Sequence, residues 1–305
     1  MQKTMVKEEF DAAVAKLRAA LDSSEAVLIG AGSGLSTAAG YAYSGDKFKK
    51  YFGDFVRRYG IQDIHSGGFY EFRDMETYWA WWSRHIWLNR YEPIPSDLYS
   101  RLRELVKDKN YFVLTTNFDH CFQRAGFEKE RLFYNQGDYG LLQSRRPHGE
   151  AAEATYENRH LIKEMLIAQG FRISSSGRLI PPDVSEMKMK VPAKLIPRSP
   201  EDGDYLVPSL RKDKEFVEDE GWRQAFLNYT FFKKDTEHAR ILYFELGVGK
   251  RTPENIKYPF YEMTAENKKA VYACVNLSEA VAPEQIRSRS ICIQDDIAKV
   301  IRALG

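Results

Sequence analysis

Cysteine is scarce in this sequence: three in 305 residues, Cys121, Cys274 and Cys292, none of them in a Cys-x-x-Cys pair. That spacing excludes a disulfide framework and a thiolate zinc ribbon, and the three read as small buried apolar side chains. An excess of one charge is also missing. With 45 basic against 43 acidic residues the net charge is +2, which gives no electrostatic reason for a polyanionic partner, so nucleic acid is not expected. Long apolar runs are absent too. The longest, such as Ala26–Ile29 and Ala270–Val275, fall far short of the roughly 20 residues that cross a bilayer, so no membrane partner is expected. No charged-then-apolar leader opens the chain, and the expected location is the cytoplasm. There is no internal repeat or low-complexity tract, and the histidines show no metal-ligand spacing.

What is present reads as an ordinary globular chain, 43% hydrophobic and 29% charged, of one large or two moderate domains. Phe10, Ala13, Val14, Leu17 and Leu21 repeat at helical spacing, and Ala26–Ile29 then form a strand that runs straight into Gly30-Ala31-Gly32-Ser33-Gly34. A second such unit follows: a helix marked by Leu98, Leu102, Leu105 and Val106, a strand at Tyr111–Leu114 and the turn Thr115–Asp119. Ile241–Leu246, Ala270–Val275 and Ile291–Ile293 read as further strands, with a last helix from Asp295 to Leu304. Buried strands alternating with helices predict an α/β fold with a parallel sheet, whose ligands sit beyond the C-terminal strand ends.

Two stretches break that rhythm. Residues 48–91 read as helical and aromatic-rich, with Met75, Trp79, Trp82 and Ile86 at helical spacing as core packing rather than a stacking platform. Residues 145–232 are rich in proline and charge and read as an inserted, loop-rich module, in which Arg211–Glu220 is a solvated face. The remaining segments, 1–47, 92–144 and 233–305, make up the sheet domain.

Gly30-Ala31-Gly32 directly after a buried strand predicts a phosphate-cradling turn, because small residues let backbone N–H groups approach a pyrophosphate. The spacing differs from the dinucleotide fingerprint, and no acidic residue at a second strand end holds a ribose, which disfavours an ordinary dehydrogenase. Taken alone, the turn also fits a tight strand-to-helix connection, and Asn117 and Asp119 also suit a helix cap.

The ordered set resembles the sirtuin family, which carries G-A-G, T-Q-N-I-D, R-A-G, H-G, G-T-S and an I-N strand end. The matching pieces are Gly30-Ala31-Gly32, Thr115–Asp119, Arg124–Gly126, Gln136-Gly137, Gly247-Val248-Gly249 and Val275-Asn276. The resemblance implies a Rossmann-like NAD-binding domain, with the 145–232 module in place of the family's zinc ribbon. Three departures stand out. The loop after Gly34 is longer and lacks the usual P-D-F-R, and Ser199-Pro200-Glu201-Asp202-Gly203 replaces a C-P-x-C-G half-site, so zinc is not expected. The catalytic His of the family is Gln136.

With G-A-G-x-G-L-S in front and N-Q-G in place of His-Gly, the chain resembles the macrodomain-linked class M sirtuins of microbes. By that resemblance it is an NAD-dependent protein mono-ADP-ribosyltransferase acting in oxidative-stress control, with a lipoylated carrier resembling the glycine cleavage H protein as acceptor. A macrodomain hydrolase would be its functional partner. Asn117 would position the nicotinamide ribose, Asp119 bind the carboxamide and Gln136 contact ribose hydroxyls. Gly30, Ala31, Gly32 and Gly34 would form the pyrophosphate turn, with Thr116 and Val248 beside the cofactor. Gly247 would lie against phosphate or ribose, and Asn276 and Asp295 would border the adenosine. A glutamine has no proton acceptor that titrates near neutral pH, so deacylation should be largely lost while cleavage at C1′ survives. An NAD hydrolase, a residual deacylase and a silent NAD or ADP-ribose sensor remain as alternatives. His148 in Pro147-His148-Gly149 is a rival base, but it lies too far along the chain from Asn117.

Overall fold

The computed structural model describes residues 5–41, 43–250 and 253–305. Six strands form one parallel sheet: β1 (Ala26–Ala31), β2 (Asn110–Thr115), β3 (Leu132–Tyr134), β4 (Ile241–Leu246), β5 (Val271–Val275) and β6 (Ser290–Ile293). Their order is β6-β5-β4-β1-β2-β3, with every neighbouring pair parallel. All residues of β1 and β4 are buried, as two-sided helix cover requires.

Alternation along the strands sorts side chains between two cores. Val27, Ile29, Val113, Phe244 and Ala273 face the helices Lys7–Ser23, Leu98–Val106 and Ile297–Ala303. Leu28, Phe112, Leu114, Tyr243 and Tyr272 face the helices Glu220–Thr236 and Lys257–Glu266. One charged pair lies within this second core: Glu245 accepts from Lys257 Nζ at 2.7 Å and from Tyr272 Oη at 2.6 Å. This doubly wound α/β architecture is the one the alternating pattern predicts.

The strand ends are level. Register places Ile293 beside Val275, Val275 beside Leu246, Leu246 beside Ala31, Ala31 beside Thr115 and Thr115 beside Tyr134. The loops that follow all six strands therefore leave the sheet along one line. β1 has β2 on one side and β4 on the other, which makes the crevice above it the topological switch point.

The remaining segments share a third core. Phe52, Phe55, Trp79, Trp81 and Ile86, from the helices Gly45–Tyr59 and Met75–Ile86, pack with Leu142, Ile162, Leu166, Phe171 and Leu206. The aromatic stripe is thus buried packing. Arg84, fully buried, locks these stretches together: it pairs with Asp54 at 2.7 Å, donates to Gln169 Oε1 at 2.8 Å, and lies between the rings of Phe55 and Phe171. A small antiparallel sheet of Gly137–Ser144, Tyr156–Glu157 and Leu206–Leu210 joins the same core.

Two stretches pack differently from their expected grouping. Residues 220–232, read as part of the inserted module, form most of a helix that docks on the main sheet, because Ala225, Tyr229 and Phe232 recur on one face against Phe112 and Phe133. Gly137–Ser144, read with the sheet domain, pairs within the small sheet. The turn at Ser199–Gly203 is closed by hydrogen bonds: Asp202 accepts from Ser144 Oγ at 2.7 Å and from the Asp204 N–H at 3.0 Å. Among the described residues no group of three or more His, Cys, Asp or Glu is placed to hold a metal ion, and no helix is long and apolar enough to cross a membrane. Cys121 and Cys274 are buried free thiols, and Cys292 is half-buried.

Candidate functional site

The first loop on the line of strand ends is Gly32–Gly34. Gly32 is extended and opens the short helix Ser33–Ala38. It packs backbone to backbone on the loop after β4, where Gly247 has φ +65°, a left-handed conformation that favours glycine. The N–H of Gly32 donates to Leu246 O and that of Gly34 to Gly247 O, both at 3.0 Å. A Cβ on Gly32 would stand 2.7 Å from Gly247 O, and one on Gly247 would stand 2.6 Å from Gly34 Cα. Gly30 is small for a different reason: a Cβ there would meet Ile256 and Phe260 of the helix-covered face. These N–H bonds mean that Gly32 and Gly34 hold the two turns together.

The loop after β2 is tied to the same place. Thr115 Oγ1 donates to Ala31 O at 3.0 Å and accepts from the Asn117 N–H at 3.0 Å, while the Thr116 N–H donates to Ala31 O at 3.1 Å. Asn117, buried, donates through Nδ2 to Gly32 O at 3.0 Å. Asp119, also buried, accepts from Ser36 Oγ at 2.5 Å and from the Cys121 N–H at 3.0 Å. Burial pushes its carboxyl above the usual range, an effect that these hydrogen bonds and the Arg124 charge oppose.

Gln136, half-buried, reaches back toward the loop after β4. Its Nε2 and the Nδ2 of neighbouring Asn135 both donate to Asn255 Oδ1, each at 3.2 Å. On the far side, Asn276 donates through Nδ2 to Val248 O at 3.0 Å and accepts from the Ser278 N–H. The Val248 side chain is buried in the apolar core, so only its backbone faces the crevice. Asp295 pairs with Lys299 Nζ at 2.6 Å and accepts from the Asp296 N–H, at the start of the last helix. Thus Gly32, Gly34, Asn117, Asp119, Gly247 and Asn276 form one hydrogen-bonded framework over adjacent strand ends, while Asp295 lies at the edge strand. His148 is exposed and lies 3.6 Å from Asp202 in the module.

Four neighbouring residues carry chemistry that sequence reasoning missed. His120 Nδ1 and Asp138 Oδ2 are 2.7 Å apart, and Asp138 also pairs with Arg90 Nε at 2.7 Å. Burial alone would raise the Asp138 carboxyl, but the His120 hydrogen bond and the Arg90 charge outweigh it and hold the group below the usual range. Asn117, Asp119, His120, Tyr134 and Asp138 line one pocket. Arg211 donates its N–H to Gln136 O at 2.8 Å and stacks its guanidinium on Phe216 and Trp222. The only signals were the Asp-His dipeptide after Asn117 and the Asp two residues after Gln136, and nothing in their spacing joins them.

Comparison with protein-family models finds none that matches. Among curated proteins, the chain is 32% identical over 286 residues to a protein ADP-ribosyltransferase of Staphylococcus aureus, covering 93% of this chain and 84% of that protein. It is 27% identical over 297 residues to a probable bifunctional ADP-ribose hydrolase/ADP-ribosyltransferase of Fusarium oxysporum f. sp. cubense, of which it spans 46%. Among solved structures, Sir2Tm bound to a propionylated peptide matches with a TM-score of 0.52 at 16% identity, over 95% of both chains. A Sir2 homologue in complex with NAD matches with a TM-score of 0.52 at 14% identity, over 100% of this chain and 94% of that one. At such identities the structures establish a shared fold.

Proposed function

The chain belongs to the sirtuin-like protein ADP-ribosyltransferases, and on that premise we propose that it cleaves the bond between nicotinamide and ribose in NAD and transfers ADP-ribose to a lipoylated, H-protein-like carrier. NAD supplies a good leaving group, since nicotinamide departs with the bonding electron pair and loses its positive charge. The chain's task is to hold the ribose, orient its C1′ toward the acceptor and keep competing chemistry out.

The observation that carries this reading is the level line of strand ends. It brings the turns at Gly32, Asn117, Gly247 and Asn276 into one crevice at the switch point, where α/β sheets bind nucleotides. A dinucleotide diphosphate would lie over a floor of small residues, where glycine at 32, 34 and 247 lets the turns after β1 and β4 close backbone to backbone, since a Cβ on any of the three would meet the facing turn. In this assignment Asn117 positions the nicotinamide ribose and Asp119 the carboxamide. Gly30, Ala31, Gly32, Gly34 and Thr116 form the turn under the pyrophosphate, with Gly247 and the Val248 backbone beside it. Gln136 contacts ribose hydroxyls, and Asn276 and Asp295 border the adenosine. Gln136 donates and accepts hydrogen bonds without taking up a proton, which favours transfer over deacylation.

The discontinuous 1–47, 92–144 and 233–305 unit is the proposed NAD-binding domain, with 48–91 and 145–232 as insertions on it, except that 220–232 docks on the main sheet and 137–144 pairs within the insertions' small sheet. The Fusarium relative's name pairs the transferase with an ADP-ribose hydrolase, which supports a macrodomain hydrolase as the enzyme that reverses the modification. The cytoplasm and oxidative stress are the proposed setting.

The test is nicotinamide release from NAD, with and without the lipoylated carrier, for wild type and Asn117→Ala. Release that the carrier stimulates and Asn117→Ala loses supports transfer. Release indifferent to the carrier marks a hydrolase, and NAD binding without release marks a sensor.

A further inference from the structure

We propose that His120, oriented by Asp138, is the group that takes the proton from the attacking nucleophile, the task Gln136 cannot perform. The inference rests on the transferase reading above. His120 Nδ1 lies 2.7 Å from Asp138 Oδ2, so a protonated Nδ1 donates to the carboxylate and leaves the Nε2 lone pair free as a base. Among the described residues Nε2 has no hydrogen-bond partner; the side chain is 27% exposed, and His120 lines a pocket together with Asn117 and Asp119.

The orienting group is itself held. Asp138 Oδ1 accepts from Arg90 Nε at 2.7 Å and from the Gly140 N–H at 2.6 Å, and its side chain is 8% exposed. The backbone adds an independent sign. His120 has φ +61°, the only positive φ at a non-glycine among the described residues, and such strain persists where the surroundings enforce it, often at active sites. The His120 side chain makes no capping bond to the helix Cys121–Arg124 that follows it.

The step balances without a further reactant. The C1′–N bond breaks and its electron pair leaves with nicotinamide. A lone pair of the acceptor forms the new bond to C1′, the acceptor's proton passes to His120 Nε2, and water later removes it from the imidazolium. A base helps only a nucleophile that carries a proton at neutral pH. The acceptor group is therefore a hydroxyl, thiol or amine rather than an ionised carboxylate.

The experiment compares wild type, His120→Asn and His120→Gly in two readouts. Asparagine and glycine both tolerate φ +61°. The first readout is histidine-selective NMR of the protein without NAD, which is expected to find His120 at neutral pH with Nδ1 protonated and Nε2 bare. The second is nicotinamide release from NAD with the lipoylated carrier. His120→Asn is expected to lower kcat by about 100-fold or more, the usual weight of a general base, with the KM for NAD unchanged. Added imidazole should restore His120→Gly.

The other titratable groups of the pocket are Asp119, Cys121, Tyr134 and Asp138, with Arg90 paired to Asp138, and none of them is altered in these variants. A proton on Nε2, an unchanged kcat, or loss of NAD binding with no imidazole rescue would overturn the inference. A wild type that releases no nicotinamide would overturn the transferase reading itself.

Discussion

At Asp138 three donors converge on one buried carboxylate: His120, Arg90 and the Gly140 N–H. Because the folded protein holds this group below the ordinary carboxylate value, it binds fewer protons there than the unfolded chain does. The stabilisation is complete above the unfolded value, roughly pH 4, and is lost as pH falls through the folded one. Asp138→Asn should therefore cost about 3 kcal/mol at neutral pH, as expected when a buried pair loses one partner. In urea unfolding at a series of pH values that gap should narrow toward acid; a gap of constant size would contradict the account. Asn117 stood out in the sequence through the resemblance of Thr115–Asp119 to a family motif, since the turn taken alone suits a helix cap as well. The His120–Asp138 pair was not, since the partners are 18 positions apart and meet only when β3 returns the chain to the end of β2.

Among the elements, the contact between the turns after β1 and β4 tests most sharply how the crevice is built. Gly247→Ala would force a side chain into a left-handed position and against Gly34 backbone at 2.6 Å, and should cost about 2 kcal/mol or more in a denaturant titration. Gly249→Ala, where a Cβ meets nothing within 4 Å, should change stability by less than about 0.5 kcal/mol. Equal effects would mean that the two turns do not bear on each other. Strands β1, β2, β4 and β5 were legible from continuous apolar runs. The three-residue β3 was too short to show a period, and the docking of the Glu220–Thr236 helix on the main sheet was obscured by the charged stretch before it, although Ala225, Tyr229 and Phe232 fall on one helical face.

For the molecule as a whole, sequence-distant stretches share one core, and Arg84 is its lock. Arg84→Ala leaves Asp54 buried without its cation and removes a guanidinium from between two rings. A loss of about 3–5 kcal/mol in urea unfolding is expected; a near-neutral result would mean that apolar packing alone holds these segments. The aromatic share of that core was visible in sequence, but the joining of its two halves was not, because helical periodicity says which face is buried and not against what. Hydrogen bonds from Ser144 and the Asp204 backbone close the turn at Ser199–Gly203 around Asp202, so a chelator should leave the melting temperature unchanged; a fall would reveal a structural metal.

A crevice at the strand ends that moves ADP-ribose from NAD to a protein must leave that group on the acceptor. Intact-mass measurement of the lipoylated carrier after incubation with NAD and the enzyme tests it most directly. The carrier is expected to be heavier by one ADP-ribosyl group with wild type and unchanged with Asn117→Ala. A carrier left unmodified by wild type, or modified equally by Asn117→Ala, would contradict it.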